Sequence, residues 1–227
     1  MKISSLYGLI LAAGGLCIGS VANAAGERGP GWEFGADLIY QLSKDIDFNG
    51  GSKASLDDDL GIAIAFGYRF NNKLELQFYL DWNDVDYNAS LVTFSNTTPA
   101  VPLGTVDVRG TVETFAPRAA VNYNFLEGPI TPYITAGLGW AFIDTNIPTG
   151  RPQNVCWWDP WWGYVCGTVQ DTKSIDGFLY DLGLGVRWDF SPGLSMRAGY
   201  ERHWIDLSQA DGTPGLDQFR LGIVYRY

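Results

Sequence analysis

The single histidine of this 227-residue chain is the first residue to test for chemistry. It lies in Glu201-Arg202-His203-Trp204-Ile205, with Asp206 and Ser208 just beyond. Glu201 and His203 share one face of an extended strand. An imidazole beside a carboxylate there is either a satisfied interior pair or a group that titrates near neutrality. A nucleophilic relay also needs a hydroxyl or thiol within reach and a group to orient the base. One His makes imidazole-rich metal centres improbable, and the chain has no P-loop, H-E-x-x-H, C-x-x-C or G-x-S-x-G. No catalytic residue, metal or cofactor is therefore expected. Lys+Arg 15 against Asp+Glu 25 gives a net charge of -10, which argues against a nucleic-acid partner.

The least ordinary stretch runs from Cys156 to Cys166. Four of the nine Trp fall within six residues, at Trp157, Trp158, Trp161 and Trp162, with Tyr164 following. In an oxidising compartment Cys156 and Cys166 read as a disulfide, since no His stands near to complete a metal site. The five rings either offer faces to sugars, lipid headgroups or a host surface, or pack together as a small core or at a lipid interface.

The elements that must position these groups are strands, because the hydrophobic period is two. Phe219, Leu221, Ile223, Tyr225 and Tyr227 alternate with Gln218, Arg220, Gly222, Val224 and Arg226. Leu60 to Phe70, Leu74 to Trp82 and Phe178 to Phe190 repeat the pattern, as do rows starting at Trp32, Phe115, Ile130 and Leu194. Arg202 breaks the last of these rows, as a residue near a membrane edge or beside a bulge would. Eight rows of about ten residues, with apolar faces ending in aromatics, predict an all-β, eight-stranded antiparallel transmembrane β-barrel. A soluble sandwich would alternate similarly, but here the polar face is rich in Gly and Ala, as a crowded lumen requires. The connections also alternate. Those near 70–73, 126–129 and 190–193 are tight, whereas 44–58, 86–104, 145–172 and 206–215 are long or polar, which predicts short periplasmic turns and long extracellular loops.

With the polar face inward, the lumen receives Glu33, Asp37, Glu75, Asp81, Asp181, Asp189 and Glu201 against Arg69, Arg118, Arg187, Arg197, Arg220 and Arg226, with His203 titratable. Seven acids facing six Arg leave the interior nearly neutral. Arg forks pair well with carboxylates, so these residues read as a salt-bridged plug. The alternative is a narrow conduit for small or hydrophobic solutes. At the other end of the chain, Lys2, the apolar run Leu6 to Ile18 and Ala22-Asn23-Ala24 read as a secretory signal peptide over 1–24, cut between Ala24 and Ala25. The barrel domain is then 25–227.

On these rows, and most specifically on Leu221-Gly222-Ile223-Val224-Tyr225-Arg226-Tyr227, the chain resembles the small eight-stranded outer-membrane barrels of Gram-negative bacteria, the OmpA/OmpX/OmpW and opacity-protein type. The resemblance implies a multi-pass protein of the bacterial outer membrane. It also implies contact with outer-membrane lipid and lipopolysaccharide. Tyr225 and Tyr227 would form part of the signal read by the barrel-assembly machinery, though the family more often ends in Phe. Some such barrels are deacylases with a Ser two residues after their His; Ile205 holds that place here, so no enzyme is expected. Asp57-Asp58-Asp59 would either bridge lipopolysaccharide phosphates through divalent cations or form a solvated loop end. The reading that results is a non-enzymatic envelope protein whose loops are available to an extracellular ligand or host surface, with a narrow porin as the alternative.

Overall fold

Adjacent residues Glu33 and Phe34 show the rule that builds the fold: Phe34 is 55% exposed and Glu33 is 0%. A computed structural model describes residues 29–47, 51–94, 102–161, 163–207 and 213–227. The signal segment 1–24, with Ala24 and Ala25, lies outside them. The strands are β1 (Gly31–Gln41), β2 (Lys44–Asp47), β3 (Lys53–Leu56), β4 (Asp59–Arg69), β5 (Leu74–Phe94), β6 (Pro102–Asn124), β7 (Ile130–Asp159), β8 (Gly163–Ser191), β9 (Leu194–Asp206) and β10 (Gly215–Arg226). All pairings are antiparallel. Eight strands close a ring in the order β1-β4-β5-β6-β7-β8-β9-β10, sealed where β1 pairs β10 from Glu33↔Arg226 to Gln41↔Gln218. Closure matters energetically, since each unpaired backbone group facing hydrocarbon costs several kcal/mol.

The apolar rows point outward along every strand of the ring. Leu60, Ile62, Ile64, Leu138, Leu182, Leu184 and Ile223 are exposed on the barrel surface, while Glu75, Arg69, Arg187 and Asp181 are buried inside. Rings cluster at both ends of this band. Trp32, Tyr68 and Phe70 meet at one end, and Trp82, Phe115 and Phe142 at the other. Trp140, Phe178, Tyr180 and Trp204 extend the second girdle, as interfacial aromatics do. Arg202 points outward at this level, where it pairs with Asp217 at 3.7 Å and lies over Trp204. It stands at the membrane edge, and the register of β9 runs through it without a shift.

The tight connections behave as expected. Asn71 Oδ1 accepts from the backbone N–H of Lys73 and Leu74 at 2.8 and 2.9 Å, closing the β4–β5 turn. The long connections correct the sequence reading. Much of 86–104 and 145–172 is strand, so β5 to β8 run 21, 23, 30 and 29 residues instead of about ten. The 44–58 connection contains a further hairpin, β2–β3, whose second strand pairs with β5 at Leu56↔Tyr87 to Lys53↔Ser90. The chain therefore forms an eight-stranded ring plus two short accessory strands. From Phe142 at the girdle to Asp159 at the tip of β7, a rise of ~3.3 Å per residue carries the β7–β8 hairpin roughly 55 Å along the strand.

Candidate functional site in the lumen

Inward-facing charges gather into two layers. In the layer nearer the short turns, three acids meet three Arg. Arg187 on β8 donates to Glu75 at 2.7 Å, to Glu33 at 2.9 Å and to Asp189 at 2.9 Å. Arg197 Nη2 bridges Glu33 and Glu75, at 2.7 Å to each. Arg69 pairs with Glu33 and, at 3.3 Å, with Glu75. Gln77 donates to Glu33 and Asn124 to Glu75, both at 2.9 Å. Charged groups inside a barrel lose most of their hydration, and multiple charge-assisted hydrogen bonds offset that loss.

The next layer holds four acids and two Arg. Arg118 on β6 donates to Asp81 on β5 at 3.0 Å, Asp181 on β8 at 2.9 Å and Glu201 on β9 at 2.8 Å. Arg220 on β10 reaches Asp37 at 2.9 Å and Asp81 at 2.8 Å, and its Nε lies 3.4 Å from Glu201. His203 Nε2 stands 3.3 Å from Glu201 Oε2 and 2.6 Å from the Gln218 amide nitrogen. Tyr79 separates the layers. Its ring lies against Arg118 and Arg220, with centroids 4.2 and 4.9 Å from the guanidinium carbons, and its hydroxyl accepts from Arg197 at 3.5 Å. Opposite it, Tyr133 crosses the bore over Gly185 and Gly199, where any Cβ would come within 2.7 Å of the ring or its hydroxyl.

Beyond the second layer the lumen turns apolar. Ala116, Ala141, Ile143, Leu179, Ile205 and Leu207 form one buried cluster. Ala54, Leu56, Val85, Tyr87 and Ala89 form another, joined to the first through Val112 and Leu216. The accessory hairpin thus supplies part of the packing inside the extracellular mouth.

Of the charged residues expected to face the lumen, Arg226 is the exception. It lies half-exposed at the periplasmic rim and donates to the Pro192 carbonyl. It is the last residue of β10, so the bore ends before its guanidinium can join either layer. Seven acids are therefore matched by five buried Arg, not six. The alternating rows placed Gln77, Tyr79 and Gln218 inward with the charges, but the alternation gave no reason to group Asn124 and Tyr133 with them.

At the tip of β7–β8, Cys156 and Cys166 oppose each other in the ladder and form a disulfide. Gly163, the first residue of β8, takes a φ of +77°, a left-handed conformation that Gly adopts without steric cost. Trp158 and Tyr164 pair across the same hairpin face and are 74% and 68% exposed, and Trp161 is 88% exposed. These three rings do not form a buried mini-core. Trp157 occupies a strand position opposite Val165, and Trp162 lies outside the described residues. At the chain's end Tyr225 faces outward opposite Phe34, and the Tyr227 N–H donates to the Trp32 carbonyl at 3.1 Å. In the acidic 57–59 stretch, Asp58 accepts from the Tyr40 hydroxyl at 2.5 Å and the Asp57 N–H donates to the Asp86 carbonyl at 2.9 Å.

Comparison with known proteins agrees with this architecture. The family described as outer membrane protein beta-barrel domain matches residues 9–227. An uncharacterised protein of Brucella abortus strain 2308 is 24% identical over 174 residues, covering 72% of this chain and 58% of the relative. A Brucella melitensis protein, also uncharacterised, matches at the same identity and coverage. The chain thus spans less than two thirds of the length of these relatives. Among solved structures, the neisserial surface protein A superposes with a TM-score of 0.52 at 15% identity, over 88% of this chain and 99% of that one. Ail, the attachment invasion locus protein of Yersinia pestis, gives 0.43 at 14% identity, over 87% and 97%.

Proposed function

The chain belongs to the outer membrane protein beta-barrel domain family, and from that premise we propose that it is a non-enzymatic envelope protein whose lumen is shut to solutes and whose barrel anchors protruding hairpins. The observation that carries the reading is the reach of single guanidinium groups across the bore. Arg118 ties β6 to β5, β8 and β9, and Arg187 ties β8 to β1 and β5. Opening a path means breaking several buried charge pairs at once, and removing one partner of such a pair costs about 3–5 kcal/mol. Residues 1–24 direct export, and the final strand through Tyr225 and Tyr227 is read by the assembly machinery. The outer face meets lipid and lipopolysaccharide. The exposed Trp158, Trp161 and Tyr164 are offered to an extracellular ligand or host surface from a tip that the disulfide pre-organises.

Planar-bilayer recording of the pure, folded protein tests the closure. The expected result is a quiet membrane. Reproducible unitary steps that disappear on heat denaturation would overturn it in favour of a narrow porin.

A further inference from the structure

The two charge layers differ in sum. In the layer nearer the periplasm, Glu33, Glu75 and Asp189 against Arg69, Arg187 and Arg197 give zero. In the layer above it, every strand that contributes a charged group is accounted for. β1 supplies Asp37, β5 Asp81, β8 Asp181, β9 Glu201 and His203, β6 Arg118 and β10 Arg220. Inward positions of β4 and β7 at this level are Ala63, Ala65, Thr135 and Gly137. Four carboxylates minus two guanidinium groups leave -2 with a neutral imidazole, in a layer roofed by apolar side chains. A buried charge of that size needs a counter-charge.

We infer that this layer is the binding site of one divalent transition-metal cation, held by Asp181, Glu201 and His203. Among the described residues these three form the group whose donor atoms lie within 4.8 Å of one another. His203 Nε2 and Glu201 Oε2 are 3.3 Å apart, and two donors each ~2.0 Å from a tetrahedral zinc ion stand about that far apart. Asp181 is 2% exposed, and while its Oδ1 accepts from Arg118, its Oδ2 has no hydrogen-bond partner. That free oxygen lies over Gly137, where a side chain would collide with it. The Gln218 amide nitrogen sits 2.6 Å from the imidazole nitrogen and 3.5 Å from Glu201 Oε2, so it fills the space between these two donors and swings aside when an ion enters. A dication brings the layer to zero, whereas an imidazolium alone would leave -1. One imidazole with carboxylate oxygens selects zinc-like ions over magnesium, which keeps its water and prefers oxygen. Arg118 and Arg220 keep their hold on the same carboxylates and limit the site to one ion. The site is independent of whether the lumen conducts.

The test uses the full folded barrel in detergent, stripped with a chelator and dialysed, then titrated with zinc chloride by calorimetry near neutral pH. The expected result is saturation at one zinc per barrel, undisturbed by excess magnesium. The His203→Ala variant, checked for folding by its heat-dependent mobility on a detergent gel, should weaken binding by more than the ~10–100-fold that losing an outer-sphere partner of a metal costs. If His203→Ala does not fold, Asp181→Asn, which keeps size and shape, serves in its place with the same expected loss. Absence of saturable zinc binding to the native barrel overturns the inference, and so does unchanged affinity in the folded variant.

Discussion

The layer built on Arg187 and the layer built on Arg118 are made of the same residue types and stand one above the other in the same bore. The lower one matches each acid with a guanidinium and adds Gln77 and Asn124 as neutral donors. The upper one shares Arg118 and Arg220 among four acids and leaves Asp181 Oδ2 unpaired. The difference teaches that the surplus of two acids over the buried Arg is not spread along the lumen: one layer is balanced and the other carries the whole excess. Balance in the lower layer favours rigidity, because Glu33 and Glu75 are held by Arg69, Arg187 and Arg197 from other strands, although Arg69 Nη1 has no hydrogen-bond partner. Imbalance favours taking up something positive.

The largest effect expected from this contrast is in the lower layer. Arg187→Ala leaves Glu33, Glu75 and Asp189 with two guanidinium groups and should cost about 3–5 kcal/mol, the usual penalty for orphaning a buried charge. Urea unfolding in lipid vesicles, followed by tryptophan fluorescence, measures it; a loss below about 1 kcal/mol would mean the layer is solvated. A smaller and more discriminating effect comes from neutralising one acid in each layer with a chelator present. Glu75→Gln gives the lower layer a surplus positive charge and breaks bonds to Arg187 and Arg197, at about 1–3 kcal/mol. Asp181→Asn relieves the upper layer from -2 to -1 and should leave stability within about 1 kcal/mol of the native barrel, or raise it. Equal losses for the two variants would erase the distinction between the layers. The smallest effect lies outside both. Cys156→Ser should leave barrel unfolding unchanged while the β7–β8 tip is cut sooner by protease, because the disulfide closes only the hairpin end. A shift in barrel unfolding would couple tip and lumen.

Much of this was legible in the alternating rows. Period two assigned Phe34 outward and Glu33 inward correctly, because in hydrocarbon the contrast between faces is large. It misplaced Arg226, since a strand's last residue has the right parity but no bore left to enter. The apolar upper lumen was not visible either. Ile39 and Leu179 lie between apolar neighbours, so both faces look alike there. The accessory strands Lys44–Asp47 and Lys53–Leu56 are short and carry charges, and β7 continues through Pro148 and Pro152, which read as breakers. The division of charges into layers depends on how far each strand is staggered against the next, and sequence carries no record of stagger. The surplus at Asp181, Glu201 and His203 therefore emerges only when Arg118 and Arg220 are seen to be the two bases at that height.

The buried cluster of Leu179, Ile205 and Leu207, continued by Leu56 and Val85 from the β3–β5 side, closes the mouth that faces the outside world. At the opposite mouth Arg226 is half-exposed, and Asp189 keeps 11% of its side chain in contact with solvent. On the reading of a shut lumen, the charged interior comes nearest to water at the periplasmic rim, and the apolar roof separates both layers from the outer medium.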